Sequence, residues 1–268
     1  MNVNKNMSFS DYRDVPLLNK SHLSNFVYGN SPRQALYRKD SSGFSDGTAF
    51  HSVMEHGIDG NPELIVSPFD SFRTNEAKLW KTKQQTDGMH VVTQKLLDDL
   101  KEAREMTKQT IISQMGIDID DGKGEHEVSV FSETEKIRLD YTRPEFHGDW
   151  KSCASAKPYN CYSDIEKYNY DLQSYMYSNV YEEVTGEYRP FVFIFQEIKP
   201  PFNCTIVEVS RVTMDAWAVA KSKYDGAKMR IKQCNSGDSY TDKLEMYQPA
   251  KFILDKFGVE TNPFSEEK

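Results

Sequence analysis

Asp140 and, further along the chain, Asp149-Trp150-Lys151 supply two carboxylates and one ammonium at a spacing suited to metal-assisted hydrolysis. Side chains alternate faces along a strand, so Asp149 and Lys151 point one way and Trp150 the other. Ile137-Arg138-Leu139-Asp140 also alternates, with its apolar residues free to face a core while Arg138 and Asp140 share the opposite face. If the two strands are neighbours, the carboxylates converge. Mg²⁺ takes oxygen ligands in octahedral geometry and keeps several waters, so one or two carboxylates plus phosphate oxygens can hold it. A lysine beside such a centre can orient the attacking water or offset charge in the transition state of phosphodiester cleavage. The tripeptide alone reads better as a solvated strand edge, since Asp-x-Lys is common by chance, but it does not stand alone.

Asp46 to Gly57 reads as a short helix capped by Asp46 and closed by Gly57. Ala49, Phe50, Val53 and Met54 form its apolar stripe, which leaves His51 and Glu55 one turn apart on another face. Downstream, Ser163-Asp164-Ile165-Glu166 has the form of a capping box opening a long helix that runs to about Gly186. Gln173 and Tyr177 lie one turn apart on it and can address a phosphate or base together; the plainer alternative is two amphipathic helix residues among many tyrosines.

In this order, Gly47-Thr48-Ala49-Phe50-His51, Asp140, Asp149-Trp150-Lys151 and Gln173 with Tyr177 resemble the motifs of the PD-(D/E)xK nuclease superfamily. Within it they resemble the RecB-like branch that includes the exonuclease VIII (RecE) type of phage and prophage exonucleases. Ser71 to Trp80 and Arg189 to Phe195 are similar to further segments of that type, so the resemblance covers roughly residues 20 to 235.

The resemblance implies a restriction-endonuclease-like α/β (α+β) core, a central mixed sheet flanked by helices. It implies that His51, Asp140 and Asp149 bind Mg²⁺ (Mn²⁺ being the alternative), with the Trp150 carbonyl as a further ligand. Lys151 becomes the catalytic lysine, with Gln173 and Tyr177 near the scissile end. Glu127 sits where related enzymes often carry an acid, and reads either as a site residue or as a strand-edge charge. One departure is Arg138-Leu139-Asp140, where the family commonly has a proline or glycine turn before the acid. The implied activity is 5′ to 3′ degradation of one strand of linear double-stranded DNA, leaving single-stranded tails for recombination. Implied partners are DNA ends, further copies in a ring-shaped homo-oligomer and a single-strand annealing recombinase. A RecB-like nuclease of other polarity or with a single-strand substrate would share these residues. A catalytically inactive DNA-binding or assembly subunit would not need to keep Asp140, Asp149 and Lys151 together.

The 268 residues carry a formal charge of −8, which argues against a protein that coats DNA without specificity. Local basic clusters remain: Arg73, Lys78, Lys81 and Lys83, and the late run Lys221, Lys223, Lys228, Arg230 and Lys232. They read as a DNA channel within an acidic exterior, with Arg73, Lys78 and Lys81 as candidate contacts, or as solvated helix faces. Cys153, Cys161, Cys204 and Cys234 have neither zinc-site spacing nor the arrangement of an iron–sulfur cluster, so no cluster is expected. No apolar run approaches a membrane span, and the first residues lack a signal peptide's apolar stretch; a cytoplasmic protein without membrane partners is expected.

The chain divides on this reading into an amino-terminal arm (1–20), one nuclease domain (21–257) and a polar tail (258–268). Within the domain, 21–125 is mainly helical, including a periodic helix beginning at the Thr93 cap. Residues 126–235 follow a βββαββ pattern, with strands near 126–132, 136–142, 147–153, 190–198 and 203–210 and a final helix from about Thr213 to Cys234. Gly43 to Gly47 and Gly116 to Gly124 read as loops.

Overall fold

The computed structural model describes residues 2–27 and 45–235; the polar tail and the first part of the Gly43–Gly47 loop lie outside the described residues. In chain order the elements are β1 (Asn2–Asn4), α1 (Phe9–Asp14), α2 (Lys20–Ser24), α3 (Asp46–His56), β2 (Leu64–Val66), α4 (Asn75–Thr86), β3 (His90–Val92) and α5 (Gln94–Met115). They continue with β4 (Glu125–Phe131), β5 (Lys136–Arg143), β6 (Phe146–Cys153), α6 (Pro158–Lys167), α7 (Tyr170–Thr185), β7 (Phe191–Glu197), β8 (Cys204–Glu208) and α8 (Met214–Asn235). Six strands form one mixed sheet in the order β1-β4-β5-β6-β7-β8, and β2 and β3 pair separately. Only β6 and β7 run parallel in the large sheet, joined by the α6–α7 crossover.

Strand alternation sorts the core into two layers. Phe191, Phe193 and Phe195 of β7 pack with Leu172, Met176 and Val180 of α7 and Ala227 of α8. Val192 and Ile194 of the same strand pack on the other face with Phe50, Val53 and Met54 of α3 and Leu97, Leu100 and Ala103 of α5. Trp150 joins this second layer at 1% exposure, which obliges Asp149 and Lys151 to face α7. The indole pins β6 in its register, and Trp150→Ala would cost about 3–5 kcal/mol.

Alternation reverses at Asp140. Ile137 and Leu139 belong to the α7-side core, whereas Tyr141, two residues on, belongs to the α3–α5 side. Opposite this point, Glu127 adopts a left-handed backbone with φ 52°, unusual for a residue with a side chain, and the β4–β5 pairing skips Glu127 and Asp140. The β5–β6 ladder likewise ends at Tyr141 and Gly148, one step before Asp140 and Asp149 would pair. The strands part here, opening a gap in the sheet at the two acids. The local break that a proline or glycine would have signalled is made on the neighbouring strand.

Several boundaries differ from the sequence expectation for identifiable reasons. Ser45, not Asp46, caps α3, exchanging hydrogen bonds reciprocally with Thr48. Gly47 lies inside the first turn, and a Cβ there would meet the Ser152 hydroxyl at 2.5 Å, so the glycine lets α3 approach β6 closely. The single helix expected from Ser163 is two. Pro158 at the first helical position starts α6 earlier, and Asn169, left-handed at φ 53°, ψ 47°, turns the chain before α7. The pattern is therefore βββααββ.

The amino-terminal arm is part of the sheet rather than an appendage. β1 pairs antiparallel with β4 at the edge. Lys136, 1% exposed, donates its ammonium to the carbonyls of Tyr12 (2.7 Å), Arg13 (2.9 Å) and Val15 (2.5 Å), neutralising the carboxyl end of α1. Arg138 donates to the Met7 carbonyl at 2.8 Å, and Leu18 bridges to β5, its N–H donating to the Thr134 carbonyl at 3.1 Å and its own carbonyl accepting the Lys136 N–H at 2.7 Å.

Candidate active site

The gap between β5 and β6 forms the floor of a cleft of about 750 Å³. Asp140, Asp149, Lys151, Gln173 and Tyr177 all line it, as do His51 and Glu127. Asp140, freed from both ladders, accepts the Trp150 amide at 3.2 Å and lies 3.4 Å from His51 Nδ1. Asp149, 2% exposed, pairs with the Lys151 ammonium through one oxygen and accepts the Gln173 amide through the other. Lys151 retains some exposure, whereas Asp149 is buried and held from both sides. The Lys151 ammonium also sits 4.4 Å from the centre of the Tyr170 ring.

Electrostatics mark the floor as short of positive charge. Burial, then the Asp149 and Glu127 charges, push the Asp140 carboxyl well above its ordinary range. Burial pulls Lys151 down, but Asp149 and Asp140 outweigh it and hold the ammonium above its usual value. The His51 imidazole is lowered to about 4, by burial first and with Lys151 also disfavouring its charge, so it is neutral at pH 7 with a lone pair to offer. Glu55, one turn on, is raised to about 7 by burial and by Glu127. Tyr177 is buried, and burial pushes its phenol well above the ordinary range.

No three His, Cys, Asp or Glu side chains among the described residues already meet at one coordination point. A hard divalent cation does not require them to, since one or two carboxylates and water suffice. Two crowded carboxylates and a neutral imidazole at an open gap fit such an ion, and its charge would relieve the repulsion that raises Asp140.

The structure does not bring the expected basic clusters to this cleft. Arg73 and Lys78 are exposed around α4, and Lys81 lies 4.6 Å from the Phe72 ring in a separate hollow of about 400 Å³ with Lys95 and Lys199. Four of the five late-helix cations are engaged within the chain: Lys223 with Asp171 at 2.6 Å, Lys228 with Glu135 at 3.5 Å, Lys221 with Asp225, and Arg230 with the Phe26 carbonyl at 3.0 Å. Glu127, left between two readings by the sequence, lines the cleft, pairs with Arg138 and supplies the strand distortion beside Asp140.

Besides Arg138 and Lys151, the cleft is lined by two cations that sequence reasoning missed, Arg13 and Lys20. Lys20 donates to the Tyr168 carbonyl at 2.8 Å, and burial together with Lys151 lowers its pKa to about 8. No periodicity announces these residues; the one available signal was Asn19, which caps α2 and exchanges bonds with His22 rather than with the usual Glu or Gln.

Comparison with known proteins bears on the fold and the family. No curated protein matches the chain. A crystal structure of an Eubacterium rectale protein provisionally named an exonuclease, at 2.19 Å resolution, superposes with a TM-score of 0.55 at 14% identity. The match covers 94% of this chain and 98% of that one, and at this identity it speaks for the fold. A family model matches residues 30–248, which takes in α3, the strands β2 to β8 and α7. The chain belongs to the family described as a PDDEXK-like domain of unknown function (DUF3799), and its fold is that of the PD-(D/E)xK nuclease superfamily.

Proposed function

We propose that this nuclease is a divalent-metal-dependent exodeoxyribonuclease that degrades one strand of linear duplex DNA from an end, 5′ to 3′, leaving single-stranded tails for recombination. The observation that carries the hydrolytic part is the meeting of Asp140, Asp149, Lys151 and Gln173 where β5 and β6 part. Exonuclease action rests on the RecE-like order of motifs and on the name given to the Eubacterium rectale protein.

Asp140 and Asp149, with His51 and the Trp150 carbonyl, are the groups that would hold Mg²⁺ or Mn²⁺. Such an ion, when bound, polarises the phosphoryl group and acidifies a water. Lys151, charged and held beside Asp149, places an N–H donor where negative charge develops on the phosphate oxygens. Gln173 fixes the Asp149 carboxylate so that its free lone pairs keep one direction. Tyr177, a turn further along α7, closes the floor beneath the scissile end.

The same reading includes assembly into a ring around DNA and cooperation with a single-strand annealing protein. A ring would set the Arg73, Lys78 and Lys81 faces of several copies around one duplex, which a single acidic chain does not do alone.

Digestion of linear duplexes labelled separately at the 5′ and 3′ ends, with Mg²⁺ or with chelator, tests the reading. Release of the 5′ label first, only with metal, is the expected result. Early release of the 3′ label would overturn the polarity, and cutting of closed circles would overturn the exonuclease assignment. The mass of the protein in solution tests the ring.

A further inference from the structure

Two parts of the cleft differ in chemistry. Glu55 of α3 and Glu63, just before β2, line one part of it, and Phe9, Arg13 and Lys20 of the amino-terminal segment line another; Glu127 pairs with Arg138 beside that segment. Phe9 lines the cleft and is 63% exposed, which leaves its ring accessible there. Its ring lies 6.5 Å from that of Tyr12 with a 30° tilt, and the helix beneath is held by the Lys136 ammonium on three carbonyls. The ring is therefore presented by a fixed wall. Arg13 is about two-thirds exposed, and among the described residues its side chain pairs with Asp14, at 3.8 Å.

We propose that this wall is a binding site for unpaired nucleic acid, with Phe9 stacking on a nucleobase and Arg13 and Lys20 holding phosphates to either side. The inference rests on the nuclease reading and adds to it the form in which the strand meets the cleft. Bases inside a duplex have both faces covered by their neighbours, so a side-chain ring can stack only on a base that is unpaired or at an end. Stacking is tolerant of sequence, as required of an enzyme that moves along a strand. Glu55 and Glu63 disfavour phosphates near them and leave the amino-terminal segment, with Arg13 and Lys20, as the path for the backbone. The site would hold the strand to be cut after it leaves its partner.

The test uses the full chain in chelator with a partial duplex whose single-stranded overhang carries 2-aminopurine. Wild-type protein is expected to quench the probe, and Phe9→Ala to lose the quenching and bind the overhang roughly 5- to 100-fold more weakly. Phe9→Trp should restore both, and binding of a blunt duplex should change little in either variant. Arg13→Ala should make the salt dependence of overhang binding shallower by about 0.7, one phosphate contact on a single strand. If Phe9→Ala lowers the thermal midpoint, Phe9→Leu, apolar but without an aromatic face, carries the same test. Unchanged quenching, or equal weakening for blunt and overhanging DNA, would overturn the proposal. Cleavage of labelled DNA by wild type with Mg²⁺, run in parallel, separates the failures. Unchanged quenching in a protein that cuts DNA removes the wall site alone, whereas a protein that neither binds nor cuts DNA removes the nuclease reading and this inference with it.

Discussion

The floor of the cleft is built by strand register, whereas its amino-terminal wall is built by side chains bonding to backbone carbonyls, and the two fail in different ways. On the floor, Trp150 in the core dictates where Asp149 and Lys151 point, and the end of the β5–β6 ladder frees Asp140. On the wall, no comparable apolar stripe positions α1, which depends on Lys136, Arg138 and a three-residue edge strand. Altering the floor should therefore abolish chemistry with the fold largely kept. Altering the wall should loosen the strand path and leave the chemical centre in place.

The largest effect is expected at the floor. Asp149→Asn and Lys151→Ala should each lower the cleavage rate by about 10² or more, as loss of a charge aimed at the reacting phosphate does. Asp149 is buried against Lys151, so Asn, which keeps the shape, is the informative replacement. Near-normal turnover by either purified variant would show that the chemistry lies elsewhere in the cleft.

Gln173 offers a graded test of the same floor, because it acts through Asp149. Gln173→Leu should cost roughly 10- to 100-fold in apparent metal affinity or rate, the usual effect of removing a bond that orients a ligand. Excess metal should recover part of the loss. A variant insensitive to metal concentration would mean that Gln173 serves the substrate directly.

On the wall, Lys136→Met removes the donor to three carbonyls and should cost about 1–3 kcal/mol, seen as a lower denaturation midpoint. Proteolysis should then begin near α1, with Asp140 and Lys151 still assembled. If the variant instead loses all cleavage while its amino terminus stays protected, the two regions are not separable as argued.

How much was legible in the sequence follows the same division. Alternation and capping signals placed Asp149 and Lys151 on one face and the periodic α5 behind its Thr93 cap. They also gave the α3 stripe of Ala49, Phe50, Val53 and Met54. These features are local and repeat with the period of the element. The kink at Asp140 was hidden because its cause, the left-handed Glu127, lies on another strand and carries no glycine to announce it. Lys136 was unreadable for a related reason. A lysine in a strand looks solvated until the carbonyls it serves, more than a hundred residues earlier in the chain, are placed beside it.

The smallest effect, and the one that most sharpens the contrast, concerns Glu55 on the acidic side of the cleft. Its carboxyl is raised to about 7 by burial and by Glu127, against an unfolded value near 4.5. A carboxylate harder to ionise folded than unfolded binds more protons in the native state, so stability falls as pH rises from about 4.5 to 7 and stays lower above that. In metal-free protein, Glu55→Gln should remove this penalty. The variant should be more stable than wild type at pH 8, by on the order of 1–2 kcal/mol once partial solvent screening is allowed for, with the advantage fading towards pH 5. Denaturant melts of both proteins in chelator at the two pH values measure it. Mg²⁺ should narrow the gap at pH 8, because a cation on the floor relieves the same crowding of negative charge. A Glu55→Gln advantage that is constant with pH would instead trace the effect to packing, and the acidic side would lose its electrostatic contrast with the Arg13 and Lys20 wall.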